Sequence, residues 1–164
     1  MITEFRRGNN VKRFHTTRRI QGETVGHHSA NVCAILLRLY PNISRDLLVA
    51  ALVHDLPEQV TGDIPAPAKW GDLILRDCLY DTETEFINDN DIPDPELTPQ
   101  ELSMLKIADM TDLVLSCLEE INMGNKHARE LLNNGLDWIE SNVPHGEVHG
   151  RICLMIKEVQ DECE

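Results

Sequence analysis

The apolar run Leu47-Leu48-Val49-Ala50-Ala51-Leu52-Val53 ends abruptly in His54-Asp55. An imidazole and a carboxylate at the end of a buried segment are costly unless they are paired with other groups or bound to a metal. Adjacent helical positions point about 100° apart, so the two side chains can approach one ion from different sides but cannot enclose it. The chain must therefore bring further ligands to this point from elsewhere.

The apolar spacing along the chain is helical nearly throughout and predicts an all-α fold. Residues 24 to 40 carry Val25, Val32, Ile35, Leu36 and Leu39 at helical intervals, with Thr24 as N-cap and Pro41 as the stop. His28 points with this core face, and His27 lies to one side. A second helix starts near Ser44 and runs to His54-Asp55, where Pro57 bends or stops it. The stretch from Thr61 to Lys69 holds Gly62, Pro65 and Pro67 and is expected to be a stiff loop without regular structure. Residues 69 to 88, with Trp70, Leu73, Ile74 and Leu79, read as a third helix, followed by a polar linker with Pro93 and Pro95.

Thr98-Pro99-Gln100-Glu101 combines a cap, a proline at the first helical position and a capping-box acid. The helix it opens should run to about Met123 and stop at Gly124. Asp109 falls on the face of Leu102, Leu105 and Leu113, where an acid requires an explanation. Helices around residues 126 to 142 and 147 to 160, separated by Pro144, complete a single-domain bundle of about six helices over residues 1–164.

Composition narrows the setting. A chain of 164 residues buries enough core to stand without staples. The five cysteines, Cys33, Cys78, Cys117, Cys153 and Cys163, have no C-x-x-C spacing and read as reduced core residues, which implies a cytoplasmic setting. No stretch reaches 18 apolar residues, and no apolar run follows the N-terminal basic residues, so neither a membrane span nor a signal peptide is expected. A net charge of -13 argues against long nucleic acid as partner. Arg6, Arg7, Lys12, Arg13, Arg18 and Arg19 nevertheless crowd the first 19 residues against Glu4 alone. They form either a solvated basic tail or a local site for a small anion such as a nucleotide phosphate.

His28, His54, Asp55 and Asp109 thus come from three helices, each directed at the core. The set suits Zn, Mn, Fe, Co or Ni. Singly, each has a bland alternative as a hydrogen-bonded core histidine or a paired acid. The core segments, however, contain few basic residues to neutralise the two acids. His145 and His149 stand at i,i+4 without an evident third ligand, so they read as solvated histidines. Asp112, one turn from Asp109, could support a ligand, while Trp70 and Trp138 read as packing residues or subunit contacts.

This pattern, His28, then His54-Asp55, then Asp109, resembles that of the HD-domain metal-dependent phosphohydrolases. The blocks Glu23-Thr24-Val25-Gly26-His27-His28-Ser29 and His54-Asp55-Leu56-Pro57-Glu58-Gln59-Val60-Thr61-Gly62-Asp63-Ile64-Pro65 are similar to the bacterial 5'-deoxynucleotidase branch and its phage relatives. The resemblance runs from about Val11 to Asn125. It implies a divalent metal (Zn, Co or Mn, with Mg an option), a possible second ion arriving with substrate phosphates, and a homo-oligomer, either a dimer or a ring. It further implies that Arg13 contacts substrate phosphate, that Glu58 helps activate the attacking water, and that Asp63 lies near sugar and phosphate. Lys69 matches a basic site of the motif, and Arg18 and Arg19 would add to the phosphate-binding charge. Phe14 stands where these nucleotidases tend to carry Trp, beside sugar and base.

The short chain and its Arg13-Phe14-His15-Thr16 lead-in look like phage enzymes that hydrolyse dATP to deoxyadenosine and triphosphate, which would place this protein in a host cytoplasm. Two alternatives stay open: a 5'-deoxynucleotidase acting on dNMPs, and a nucleotide-binding regulator without turnover. No Gly-Tyr-Pro element follows Asp55, which argues against a cyclic-nucleotide phosphodiesterase of the HD-GYP kind.

Overall fold

The computed structural model describes residues 2–161 and, within them, all side chains except that of Trp70. Among the described residues the structure is helical, without strands. The helices are α1 (Ile2–Gly8), α2 (Val25–Leu39), α3 (Arg45–Val53), α4 (Glu58–Thr61), α5 (Ala66–Gly71), α6 (Leu73–Asp89), α7 (Pro99–Asn122), α8 (Arg129–Asn142) and α9 (Glu147–Asp161), with a 3-10 turn at Lys126–Ala128. This exceeds the expected six. The additions are α1 and two short pieces cut by prolines, α4 and α5.

The caps read from sequence are in place. Thr24 accepts from His27 N–H, Ser44 from Leu47 N–H, and Thr98 and Glu101 form a complete capping box. Gly124, at φ +95°, turns the chain out of α7 in a conformation that side chains disfavour. The segment from 61 to 69 departs from expectation, because Ala66–Gly71 is a helix. Pro67 falls in its first turn, where its missing N–H has no helical partner to lose.

α7 is the central element and packs against α2, α3, α8 and α9. Its apolar face buries Ile107, Val114, Cys117 and Leu118 against Val32, Leu36 and Leu39 of α2, Leu47 and Ala51 of α3, Leu132 and Ile139 of α8, and Ile152 and Met155 of α9. At Gly135 a Cβ would stand 2.8 Å from Val114 Cγ2, so the missing side chain is what lets α8 approach α7 so closely. Trp138 packs at the edge of this core, while Trp70's side chain lies outside the described residues. A smaller cluster of Val53, Leu56, Phe86 and Ile92, with Phe5 against it, seats α6 and α1 around the end of α3.

Two expectations about faces are corrected. Leu102 is exposed, so Asp109 lies at a rim rather than inside a leucine stripe. Among the described cysteines Cys117 alone is buried, Cys33 is half-buried, and Cys78 and Cys153 are exposed; Cys163 lies outside the described residues. No helix among the described residues is long and apolar enough to cross a membrane.

Candidate metal centre

α3 stops at Val53, and His54 and Asp55 occupy the turn beyond it. There they meet His28 from α2 and Asp109 from α7. The two imidazoles face each other through Nε2, 3.2 Å apart. His28 Nε2 lies 3.4 Å from Asp109 Oδ1 and 3.5 Å from Asp55 Oδ2, and His54 Nε2 lies 3.5 Å from Asp55 Oδ1. A tetrahedral ion with ligands at about 2.05 Å separates its donors by about 3.3 to 3.4 Å. His28, His54 and Asp109, whose donor atoms lie within 4.8 Å of one another, therefore fit one zinc-sized ion, with Asp55 beside the two imidazoles through one oxygen each.

Each ring is also held from behind. His28 Nδ1 meets Asp112 Oδ2 at 2.7 Å, and His54 Nδ1 donates to the carbonyl of Ala51 at 2.8 Å. With the proton on Nδ1, the lone pair of each ring lies on Nε2 and points at the shared space. The donor set therefore fits a divalent cation in chemistry as well as in distance.

The electrostatics agree. Burial alone would lower the His28 pKa, but Asp109 and Asp112 outweigh it and raise it to about 9. Asp109 is held well below the usual carboxylate range: burial opposes ionisation, and His28 and Lys106 overcome it. The site concentrates negative charge and holds a proton where a cation would sit.

The expectation that the acids lack basic partners is overturned. Arg13 bonds Asp55, and Lys106 donates to Asp109 at 2.7 Å. Sequence reasoning passed over Lys106, although its i,i+3 spacing from Asp109 is a signal for such a pair. The pairing leaves the convergence of the four candidate residues intact and adds cations beside them.

Glu58 reaches the centre although the helix does not persist through Pro57; the separate turn α4 places it there. Its side chain is buried, Oε1 lies 3.5 Å from Lys69 Nζ, and Oε2 has no hydrogen-bond partner. Burial, and then the charge of Asp55, push its carboxyl up to about 8 against the pull of Lys69. Asp63 accepts the Phe14 N–H at 2.7 Å and lies 3.9 Å from His15 Nδ1. That bond holds Phe14 at φ +56°, a strained conformation for a residue with a side chain.

The basic N-terminal segment divides. Segment 11 to 13 lies along 23 to 25, through Val25 N–H to the Val11 carbonyl and Arg13 N–H to the Glu23 carbonyl, which aims Arg13 inward. Arg18 is exposed, and its carbonyl accepts from Asn125 Nδ2 past the end of α7. Arg19 is turned inward, where it bonds Ser116 Oγ at 2.6 Å, pairs with Glu23 and Glu120, and lies 4.5 Å over the Phe14 ring. Glu23 bridges Arg13 (3.1 Å) and Arg19 (3.6 Å) and accepts from Ser116 Oγ. Glu120 accepts the backbone N–H groups of Ile20 and Gln21, both at 2.8 Å, and the amide of Asn125. Arg19 thus fastens the loop that carries Arg13 and Phe14. The signal for this frame is a polar stripe on α7: Asp109, Asp112, Ser116 and Glu120 fall at i, i+3, i+7 and i+11, on one face of the helix.

Fold and site together define an all-α phosphohydrolase of the HD class. A family profile described as 5'-deoxynucleotidase YfbR-like matches residues 2–149, and the chain belongs to that family. It is a metal-dependent hydrolase that acts on deoxynucleotides. Among relatives, the 5'-deoxynucleotidases YfbR of Photorhabdus temperata and of an Escherichia coli strain (Crooks) are 26% and 27% identical, covering 70% of this chain and 70% and 69% of theirs. Two solved structures share the fold. The HD phosphohydrolase DatZ of cyanophage S-2L, bound to dA and one catalytic Zn2+ ion, has a TM-score of 0.71 at 18% identity over 98% of this chain and 97% of its own. An HD-domain phosphohydrolase of Listeria innocua has a TM-score of 0.72 at 23% identity, over 99% and 87%.

Proposed function

We propose that His28, His54, Asp55 and Asp109 hold one catalytic divalent ion, of the zinc or cobalt type, and that the enzyme hydrolyses dATP to deoxyadenosine and triphosphate. The observation that carries the metal assignment is the approach of the two Nε2 atoms, each backed by a partner on Nδ1. When bound, such an ion polarises a phosphoryl oxygen and makes water acidic enough to supply the nucleophile at neutral pH.

The protein's own groups do the rest. Glu58, buried with a free Oε2, accepts the proton of the attacking water. Water oxygen bonds the α-phosphorus, the bond from that phosphorus to O5' breaks, and O5' leaves as the hydroxyl of the deoxynucleoside, taking back the proton that Glu58 accepted. Arg13, steadied by Glu23, faces the phosphate, and Phe14, fixed by Asp63, lies on the sugar and base side. Lys69 and Lys106, partly exposed and paired with Glu58 and Asp109, turn to the phosphate oxygens.

Hydrolysis of a dNMP breaks the same bond, so the 5'-deoxynucleotidase reading differs only in whether the β- and γ-phosphates are accommodated. Triphosphate is favoured by the cations ringing the acids, and an adenine deoxynucleoside product by the dA bound to the cyanophage enzyme that shares this fold. Purified protein loaded in turn with Zn, Co, Mn or Mg is given dATP or dAMP, and the released anion is identified by phosphorus NMR. Triphosphate from dATP supports the first reading. Orthophosphate from dAMP with dATP untouched establishes the second, and bound metal without turnover of either would leave a nucleotide-binding regulator. A homo-oligomer is also proposed, because α6 exposes Leu73, Ile74 and Tyr80 on one surface; a monomeric sedimentation profile would overturn it.

A further inference from the structure

The fold brings to His145 and His149 a third donor that their sequence spacing does not reveal. Glu140, in the last turn of α8, places Oε1 3.0 Å from His149 Nε2 and Oε2 3.9 Å from His145 Nε2. The three donor atoms gather within 4.8 Å, and the two rings lie 4.7 Å apart in an edge arrangement. These spacings bracket the roughly 3.3 to 3.4 Å that separates donors around a tetrahedral zinc ion. On its far side, His149 Nδ1 lies 3.6 Å from Cys153 Sγ, one turn along α9, so the ring is braced from behind as zinc-binding imidazoles are.

We propose that Glu140, His145 and His149 form a second divalent-metal site, of zinc type, that ties the end of α8 to the start of α9. Its donor set, two imidazoles and one carboxylate with a position left for water, matches zinc in softness and number. All three ligands come from one stretch of ten residues around Pro144, so closing the site orders little chain. Arg151, on the same helix as His149, is engaged by Glu147 and by the Leu39 carbonyl. The site shares no residue with the catalytic centre.

The competing account is a pair of surface His–Glu contacts, which predicts no bound metal. Wild-type protein and the variants His145→Ala, His149→Ala and Asp109→Asn are stripped with chelator, dialysed against buffered zinc, and assayed for zinc per chain. Expected is the loss of one zinc equivalent in each histidine variant relative to wild type, with deoxynucleotide hydrolysis retained. Zinc should also raise the melting temperature of wild type by more than that of His145→Ala, while the metal-free forms melt alike. Equal zinc content in wild type and both histidine variants would overturn the site. Zinc that is lost in the variants but held between two chains, seen as zinc-dependent dimerisation in sedimentation, would overturn its placement within one chain.

Discussion

Asp112 Oδ2 stands 2.7 Å from His28 Nδ1, and Asp112 is itself buried, one turn along α7 from Asp109. One helix thus supplies a carboxylate to the space shared with His28 and His54 and a second that orients the imidazole across it. The pair makes α7 the register for the whole centre: a rotation of α7 would shift both acids together.

Asp112→Asn keeps the shape but removes the charge that steadies His28. Metal affinity should fall by about 10- to 100-fold, as for other groups that orient a ligand. Competition for zinc with a chromophoric chelator measures it, and an unchanged affinity would mean that His28 needs no support from behind.

Glu58→Gln should retain metal and lower kcat by about 10²- to 10⁴-fold, the usual contribution of a general base. In wild type the rate should climb as pH rises through a pKa no higher than about 8, because a bound cation pulls the carboxyl down from its metal-free position. The rising limb should vanish in the variant. A pH profile of the same shape in both would remove Glu58 from the proton path.

The same residue makes a prediction about stability. Its folded pKa is raised, so its contribution is fully present below the unfolded value of about 4.3 and is lost as pH rises through about 8. Metal-free wild type should therefore lose stability from pH 5 to 9 more steeply than metal-free Glu58→Gln. Urea denaturation at a series of pH values provides the comparison.

Glu120→Ala would orphan two backbone N–H groups and the Asn125 amide and leave Arg19 short of a partner. Breaking such a buried charged network typically costs about 3 to 5 kcal/mol. In wild type, burial opposes ionisation of Glu120, yet Asn125, Ile20 and Gln21 hold its pKa below the usual range. That stabilisation is present above about pH 4.3 and is lost as pH falls through the lowered folded value, so Glu120→Gln should flatten the acid side of the melting curve.

Lys106→Ala tests the triphosphate reading. Lys106 is half exposed and, among the described residues, tied to Asp109, so removing it should leave the fold unchanged. KM for dATP should rise about 10-fold, the effect expected from one charge-assisted contact, and hydrolysis of dAMP should change less. Equal effects on both substrates would place Lys106 at the α-phosphate or away from substrate altogether.

The sequence carried the helices whose caps are local chemistry. Thr24, Ser44 and the Thr98 capping box set their own helix starts through side chains that satisfy orphan N–H groups within three residues. It also carried the four candidate ligands, because a polar residue on an apolar helical face needs a partner wherever the helix packs. α5 was missed, since two prolines and a glycine look the same in a loop and in a one-turn helix whose first turn tolerates proline.

What the sequence by itself determined is therefore the helical class, the main caps and the presence of a polar His-Asp pair at the end of an apolar run, all of which depend on residues within a turn of one another. Tertiary structure alone decided that Arg13 and Arg19, alike in sequence, serve differently, one at Asp55 and the other clamped among Ser116, Glu23 and Glu120. It alone brought Glu140 to His149 and Asp112 behind His28. Such pairings join residues on different helices, and their distances follow from how α2, α7, α8 and α9 pack.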